Sequence, residues 1–308
     1  MAIARVFCSR SIGLALSLAA LTAGLNTAIW AEEITRDGDA ALAWRAKMTC
    51  GTTEQGVTRY GFFEGRVYSR FPGERDRLLF NVLGVNVRQC AQLKDAARGA
   101  GFRSVSREIM IYLDPATDQI LDKWKNPWTG ETLDVVHVAN DPVNMRAPTY
   151  AKAADGQMLH VSLREYGDMV AASSEVPLFY ENPLAGSFQK YVGGQYHAME
   201  IFDDFYRLKD FTDSKIKRIA DSRLSWVRIA KWLPWMKMGD REGLMIFNAT
   251  GFSSFDAHAI PARLRSILDE RYPTYKVPPP IDDTRPNQTS WTVFKNYIDS
   301  QPVVPPAR

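Results

Sequence analysis

Cysteine is scarce in this sequence, three in 308 residues, and histidine nearly so, with four. No CxxC pair occurs, and His137, His160, His197 and His258 never stand two or four positions apart, so no metal site is written locally in the chain. The glycine patterns of dinucleotide and P-loop sites, the GxSxG elbow, HExxH and CxxCH are all missing, and the expectation is a protein without an organic cofactor. Neither sign of charge dominates: 38 basic side chains face 35 acidic ones. That balance offers no electrostatic reason to expect nucleic acid or an anionic membrane as partner. Long apolar runs are also absent. The longest, Ile12 to Leu25, falls short of the ~20 residues a spanning helix needs, so no integral membrane segment is expected once the leader is gone.

What the amino terminus does contain is a leader. Arg5 and Arg10 precede that apolar run, and Ala28-Ile29-Trp30-Ala31 precedes Glu32-Glu33, the three parts of a secretory signal over residues 1–31. An uncleaved anchor is the alternative. The expected location is periplasmic or secreted, with residues 32–308 as a single β-rich domain. There Cys50 and Cys90 can pair in an oxidising compartment, or stay as two buried thiols.

Period-two runs separated by turn residues place strands at Tyr60–Arg70, Arg77–Val87, Val105–Leu113, Gln119–Trp124 and Leu133–Ala139, a meander with a short helix at Ala91–Arg98 ending near Gly99. Asn140 to Gly194, with Pro142, Pro148, Pro177 and Pro183, reads as loops around one strand, Met158–Tyr166. A second block follows at Gln195–Phe205, Arg223–Leu233 and Gly243–Thr250, with a helix around Phe211–Ala220. Helices at Pro261–Arg271 and Ser290–Asp299 close the chain. The expected fold is mainly β (α+β), an antiparallel meander closing into a barrel of about 8–10 strands with flanking helices, since closure removes exposed edges.

Alternation sorts the polar residues. Glu108, Met110 and Tyr112 share one face of their strand; Leu133, Val135, His137 and Ala139 share another, which Asp141 joins if the strand runs on. A histidine oriented by a carboxylate is a general base near neutral pH. The bland readings are a satisfied strand histidine, and Asp-Pro and Asn-Pro turns at Asp114, Asn126 and Asp141. Tyr60, Phe62, Glu64, Arg66 and Tyr68 form one mixed face, and Leu224, Trp226, Arg228, Ala230 and Trp232 another. A guanidinium on an apolar face must be paired or bind an anion; Glu64, Glu108 and Glu200 are the available partners.

The run Tyr112-x-Asp114-Pro115-x-Thr117, then Leu121-x-x-Trp124-x-Asn126-Pro127-x-Thr129-Gly130, then Val136-His137-Val138-x-Asn140-Asp141-Pro142-Val143-Asn144 resembles a bacterial family known as domain of unknown function eighteen thirty-eight, from about Trp44 to Gly251. The resemblance implies exported members and a β-rich fold, and carries no activity with it.

The sequence thus points to an enzyme, a lyase or hydrolase, that takes a small apolar or aromatic molecule into the barrel and uses acid–base chemistry. Carbon–carbon cleavage releasing a small aldehyde from an oxygenated aromatic is one version. His137, Asp141, Tyr112 and Tyr68 are the expected catalytic residues; Glu108, Arg66, Trp124, Asn140, Tyr196, Trp226 and Arg228 the expected binding ones. The rival readings are a non-catalytic carrier for a hydrophobic ligand and an envelope protein that binds a partner.

Overall fold

Long alternating segments with few turn residues inside them pair into one antiparallel sheet of eleven strands, seen in a computed structural model that describes residues 32–180, 191, 195–219 and 221–301. The expected leader at 1–31 and Pro183 lie outside the described residues. In chain order the strands are β1 (Glu32–Asp37), β2 (Arg59–Arg70), β3 (Arg77–Asp95), β4 (Gly99–Leu113), β5 (Lys123–Lys125), β6 (Thr132–Asp134), β7 (Val138–Asn140), β8 (Thr149–Tyr150), β9 (His160–Tyr166), β10 (Met169–Tyr180), β11 (Tyr196–Arg207), β12 (Ser222–Ala230) and β13 (Leu244–Ser254). The helices are α1 (Gly38–Cys50), α2 (Leu208–Thr212), α3 (Ala262–Arg271) and α4 (Ser290–Ser300). The ladder order is β1-β9-β10-β11-β12-β13-β2-β3-β4-β7, with β8 also on β4 and β5–β6 a separate hairpin.

The sheet is mainly β as expected, but hydrogen bonds do not close it: among the described residues no ladder joins the β1 end to the β7 end. A helix spans that seam instead. Trp44 and Ala41 of α1 pack with Val161, Leu163, Val170 and Tyr206. Leu42, Ala46 and Cys50 pack with Cys90, Phe102 and Ala151. Buried on two sides, α1 has no single apolar stripe, which is why periodicity alone does not find it. Cys50 and Cys90 are joined in a disulfide that ties the end of α1 to β3.

Curvature brings distant strands face to face. On a flat sheet β4 and β12 would be about 19 Å apart, yet Tyr112 on β4 lies within the electrostatic reach of Arg228 and Tyr196. Glycines permit the bend. A Cβ on Gly65 would sit 2.3 Å from the Asn248 carbonyl oxygen, and one on Gly84 would sit 2.4 Å from that of Ile109. The concave side is plugged at one end by the β5–β6 hairpin, the Pro234–Met236 turn and α4, through Trp124, Leu133, Trp235, Trp291 and Phe294. On the convex side α3 covers β2, β3 and β4 through Leu264, Ile267 and Leu268.

Three local expectations are corrected. Ala91–Arg98 is not a helix: β3 continues to Asp95, and the Asp95 carboxylate accepts the amides of Ala97 and Arg98 in a tight turn ending at Gly99. Pairing with β4 outweighs the weak helix propensity there. Leu133–Ala139 is two short strands, β6 and β7, with His137 between them. The supposed loop region holds β10, whose far side pairs with β9 at Met169–Ala171; among the described residues the rest of that side has no ladder partner, which suits Pro177.

Candidate functional site

The concave face collects one parity from each strand, and this parity carries charged groups deep into the interior. Register pairs Glu108 of β4 with Asn86 of β3 on one side and Asn140 of β7 on the other. Asn140 Nδ2 donates to Glu108 Oε1 at 2.7 Å, and Glu108 Oε2 has no protein partner among the described residues. Facing it, Glu200 of β11 pairs in register with Arg228 of β12. Arg228 donates to the Glu200 carboxylate and to the Tyr196 hydroxyl. Deep though they lie, the Arg228 and Glu200 side chains keep 20% and 18% of their surface open. This ion pair is thus largely covered by protein yet still accessible from the concave side.

Aromatic rings form the remaining wall. Trp226 contacts Phe63 at 5.6 Å, Phe247 at 5.8 Å and Phe202 at 6.3 Å between ring centroids. Four strand residues on this face bury a polar atom that has no partner among the described residues: Tyr112 Oη, Trp226 Nε1, Asn140 Oδ1 and, further along β2, Ser69 Oγ. Buried polar atoms are nearly always satisfied, so unpaired ones in a chamber mark where a ligand or water belongs. Burial pushes the Glu108 carboxyl above its ordinary pKa, and the Glu200 charge adds to this; the Asn140 hydrogen bond, Arg228 and Arg88 oppose it. A carboxyl so placed keeps its proton to higher pH than a solvated one, which suits it to proton transfer. Burial works against the Arg228 charge, but Tyr196 and Glu200 more than offset it, so the guanidinium stays charged.

The expected site residues divide. Glu108, Tyr112, Asn140, Tyr196, Trp226 and Arg228 all reach the concave side. Trp124 lies in the plug against Phe80 and Trp235. Arg66 and Tyr68 do not join them: with Glu64, Asn81, Asp118 and Arg263 they line a groove of about 420 Å³ on the convex side. That groove is solvent-washed and none of its polar residues has an unpaired buried atom, so its size does not make it the site.

His137 and Asp141 are separated. Asp141 Oδ1 is held by Arg107 at 3.3 Å and Arg285 at 2.8 Å, a structural clamp. His137 Nδ1 accepts the Tyr112 amide at 3.2 Å, so the ring proton sits on Nε2, which is buried without an acceptor among the described residues. Burial lowers the His137 pKa to about 4. A ring whose one lone pair is taken by the backbone is no general base; it holds Tyr112, on which it stacks at 5.9 Å. The break between β6 and β7 removed the shared face that had linked His137 to Asp141.

Residues that alternation in the sequence did not single out complete the other end of the chamber: Arg59, Arg88, Asp204 and Tyr206. The signal was available, since Tyr196, Ala198, Glu200, Phe202, Asp204 and Tyr206 share parity along β11.

Fold and site together define a mainly β protein whose curved sheet, flanked by helices, gathers a polar and aromatic cluster on its concave side. No helix of the described residues is long and apolar enough to cross a membrane, and among them no cluster of three His, Cys, Asp or Glu could hold a metal ion. The model of the family described as "Protein of unknown function (DUF1838)" matches residues 57–298, and the chain belongs to that family. No curated protein matches it.

Proposed function

We propose that the protein is an enzyme, a lyase or hydrolase, that holds a small, partly aromatic molecule in the chamber and transforms it by acid–base chemistry of its own side chains. The observation that carries this reading is the set of unpaired buried atoms, Tyr112 Oη, Trp226 Nε1 and Asn140 Oδ1, on the same concave face as Glu108 and the Arg228–Glu200 pair. Glu108 Oε2 moves the proton, and Asn140 fixes the carboxyl through its other oxygen. Arg228 and the Tyr112 hydroxyl face the oxygen on which negative charge develops. Trp226, Phe63 and Phe202 supply the apolar wall that positions the molecule. Cleavage of a carbon–carbon bond with release of a small aldehyde fits this set: a hydroxyl proton leaves to the base, its oxygen becomes the aldehyde carbonyl, and the departing carbon takes up a proton. The leader and the Cys50–Cys90 bond support a site of action outside the cytoplasm.

The test is incubation of wild type and Glu108→Gln with a panel of oxygenated aromatic alcohols and esters, followed by mass spectrometry. Conversion by wild type, slowed about 10²-fold or more in the variant while binding persists, is expected. Compounds retained unchanged by both proteins would mean a carrier, and the enzyme reading falls.

A further inference from the structure

At the α1 end of the chamber two guanidiniums stand together with no carboxylate in contact. Arg59 of β2 and Arg88 of β3 are directly opposed across the ladder. Arg59 donates to the Met48 carbonyl at 3.1 Å and the Ser222 hydroxyl at 2.8 Å. Arg88 donates to the Thr49 carbonyl at 3.0 Å and to Asn86 Oδ1 at 2.8 Å. Arg88 Nη2 has no partner among the described residues, and no ion pair within 4.0 Å involves either arginine. Like charges enclosed side by side are costly unless something neutralises them. Burial, then the neighbouring Arg59, lowers the Arg88 pKa to about 10, against the pull of Asp204 and Glu108.

The protein's own groups neutralise this charge only in part. The carbonyls at the end of α1 carry about half a negative charge, shared between two full positive ones. Asp204 is near both arginines but touches neither, and burial raises its pKa above the ordinary carboxylate value. At this end two guanidiniums, Arg59 and Arg88, face a single carboxylate, Asp204, which contacts neither, so one positive charge is left over whatever the state of Glu108. A singly charged carboxylate balances it, whereas a phosphate monoester brings nearly two charges.

Resting on the reading of the chamber as a substrate site, we infer that Arg88, backed by Arg59, anchors a carboxylate of the substrate, which is therefore a small aromatic carboxylic acid. Arg88 lies two residues from Asn86, the register partner of Glu108. The strand rise puts these positions about 7 Å apart, roughly the span of one aromatic ring. An acid anchored on Arg88 lays its ring against the Trp226 and Phe63 wall and presents its far end to Glu108 and Arg228.

The experiment is calorimetric binding of benzoate and 3-phenylpropanoate against benzyl alcohol and 3-phenylpropanol, using the whole mature protein, without any readout of turnover. Wild type should bind the acids at least about tenfold tighter than the matched alcohols. Arg88→Gln should erase that preference and Arg88→Lys keep part of it, while Arg66→Gln on the convex side leaves it intact. Equal affinity for acid and alcohol in wild type, no acid binding at millimolar concentration, or a preference that survives in a folded Arg88→Gln protein would each overturn the anchor. Acid preference here, with no conversion in the separate mass-spectrometric assay, would sink the enzyme reading and leave the anchor standing; conversion there of neutral aromatics, without acid preference here, would do the reverse.

Discussion

Strands β2 and β12 carry near-identical mixtures on one parity, and the fold gives the two sets opposite fates. Tyr60, Phe62, Glu64, Arg66 and Tyr68 face outward, where Glu64 and Arg66 are exposed. Leu224, Trp226, Arg228 and Ala230 face inward, where Arg228 is ion-paired and Trp226 Nε1 is left unpaired. The direction of bending decides between them. On β2 the inward parity holds Gly61, Phe63, Gly65 and Val67, and at Gly65 the absence of a side chain lets the strands crowd on the concave side. Two faces that look alike as strings of residues are thus a solvated surface in one case and a binding chamber in the other.

The sharpest way to break this comparison is to strip the partner from each arginine. Glu200→Gln leaves the enclosed Arg228 charge poorly compensated and should cost about 3–5 kcal/mol in denaturant unfolding. Asp76→Asn removes the partner of the exposed Arg70, at the far end of β2, and should cost less than about 1 kcal/mol. Equal losses would mean that the two environments do not differ. Next in size is the seal of the chamber. The Cys50–Cys90 bond spans 40 residues, and Cys50→Ser should lower stability by about 4 kcal/mol on the chain-entropy account. Hydrogen exchange should then rise first in α1 and at the Arg59–Arg88 end.

A smaller effect separates the plug from the surface through pH. His137 titrates at about 4 in the fold and near 6.5 when unfolded, so the unfolded chain binds more protons between those values. Its share of stability is present above pH 6.5 and is lost as pH falls through about 4, by at most ~3 kcal/mol. His137→Asn should flatten that part of the stability–pH curve; an unchanged slope would show that the ring titrates normally. The smallest effect belongs to the convex groove. Arg66→Ala and Tyr68→Phe should leave turnover unaltered and shift stability by about 0.5 kcal/mol or less, and a large loss of turnover in either would move the site outward.

Most of the chamber was legible residue by residue. Period two placed Glu108 with Tyr112, and Trp226 with Arg228, because every second side chain of a strand shares a face whatever the strand pairs with. His137 with Asp141 failed for the same reason in reverse: parity holds only while the strand is continuous, and Val135–His137 interrupts it. The Ala91–Arg98 segment misled because its composition suits a helix, whereas a 15-residue register with β4 outweighs that preference. Helices α3 and α4 were found within about a residue, since each buries one face and starts after a proline or a threonine cap.

By itself the sequence determined the segments of β2, β4, β9, β11, β12 and β13 and most of β3, the parity of each, the two closing helices and the residue types available for chemistry, all of which depend on near neighbours in the chain. Which parity became the inside was settled only in three dimensions. Sheet curvature, the seam spanned by α1 and the meeting of β4 with β11 and β12 join residues about a hundred positions apart, and no local spacing encodes them. The same holds for the excess charge at Arg59 and Arg88. Each arginine is ordinary in its own strand, and they become an anion anchor only when the ladder opposes them and the chamber encloses them.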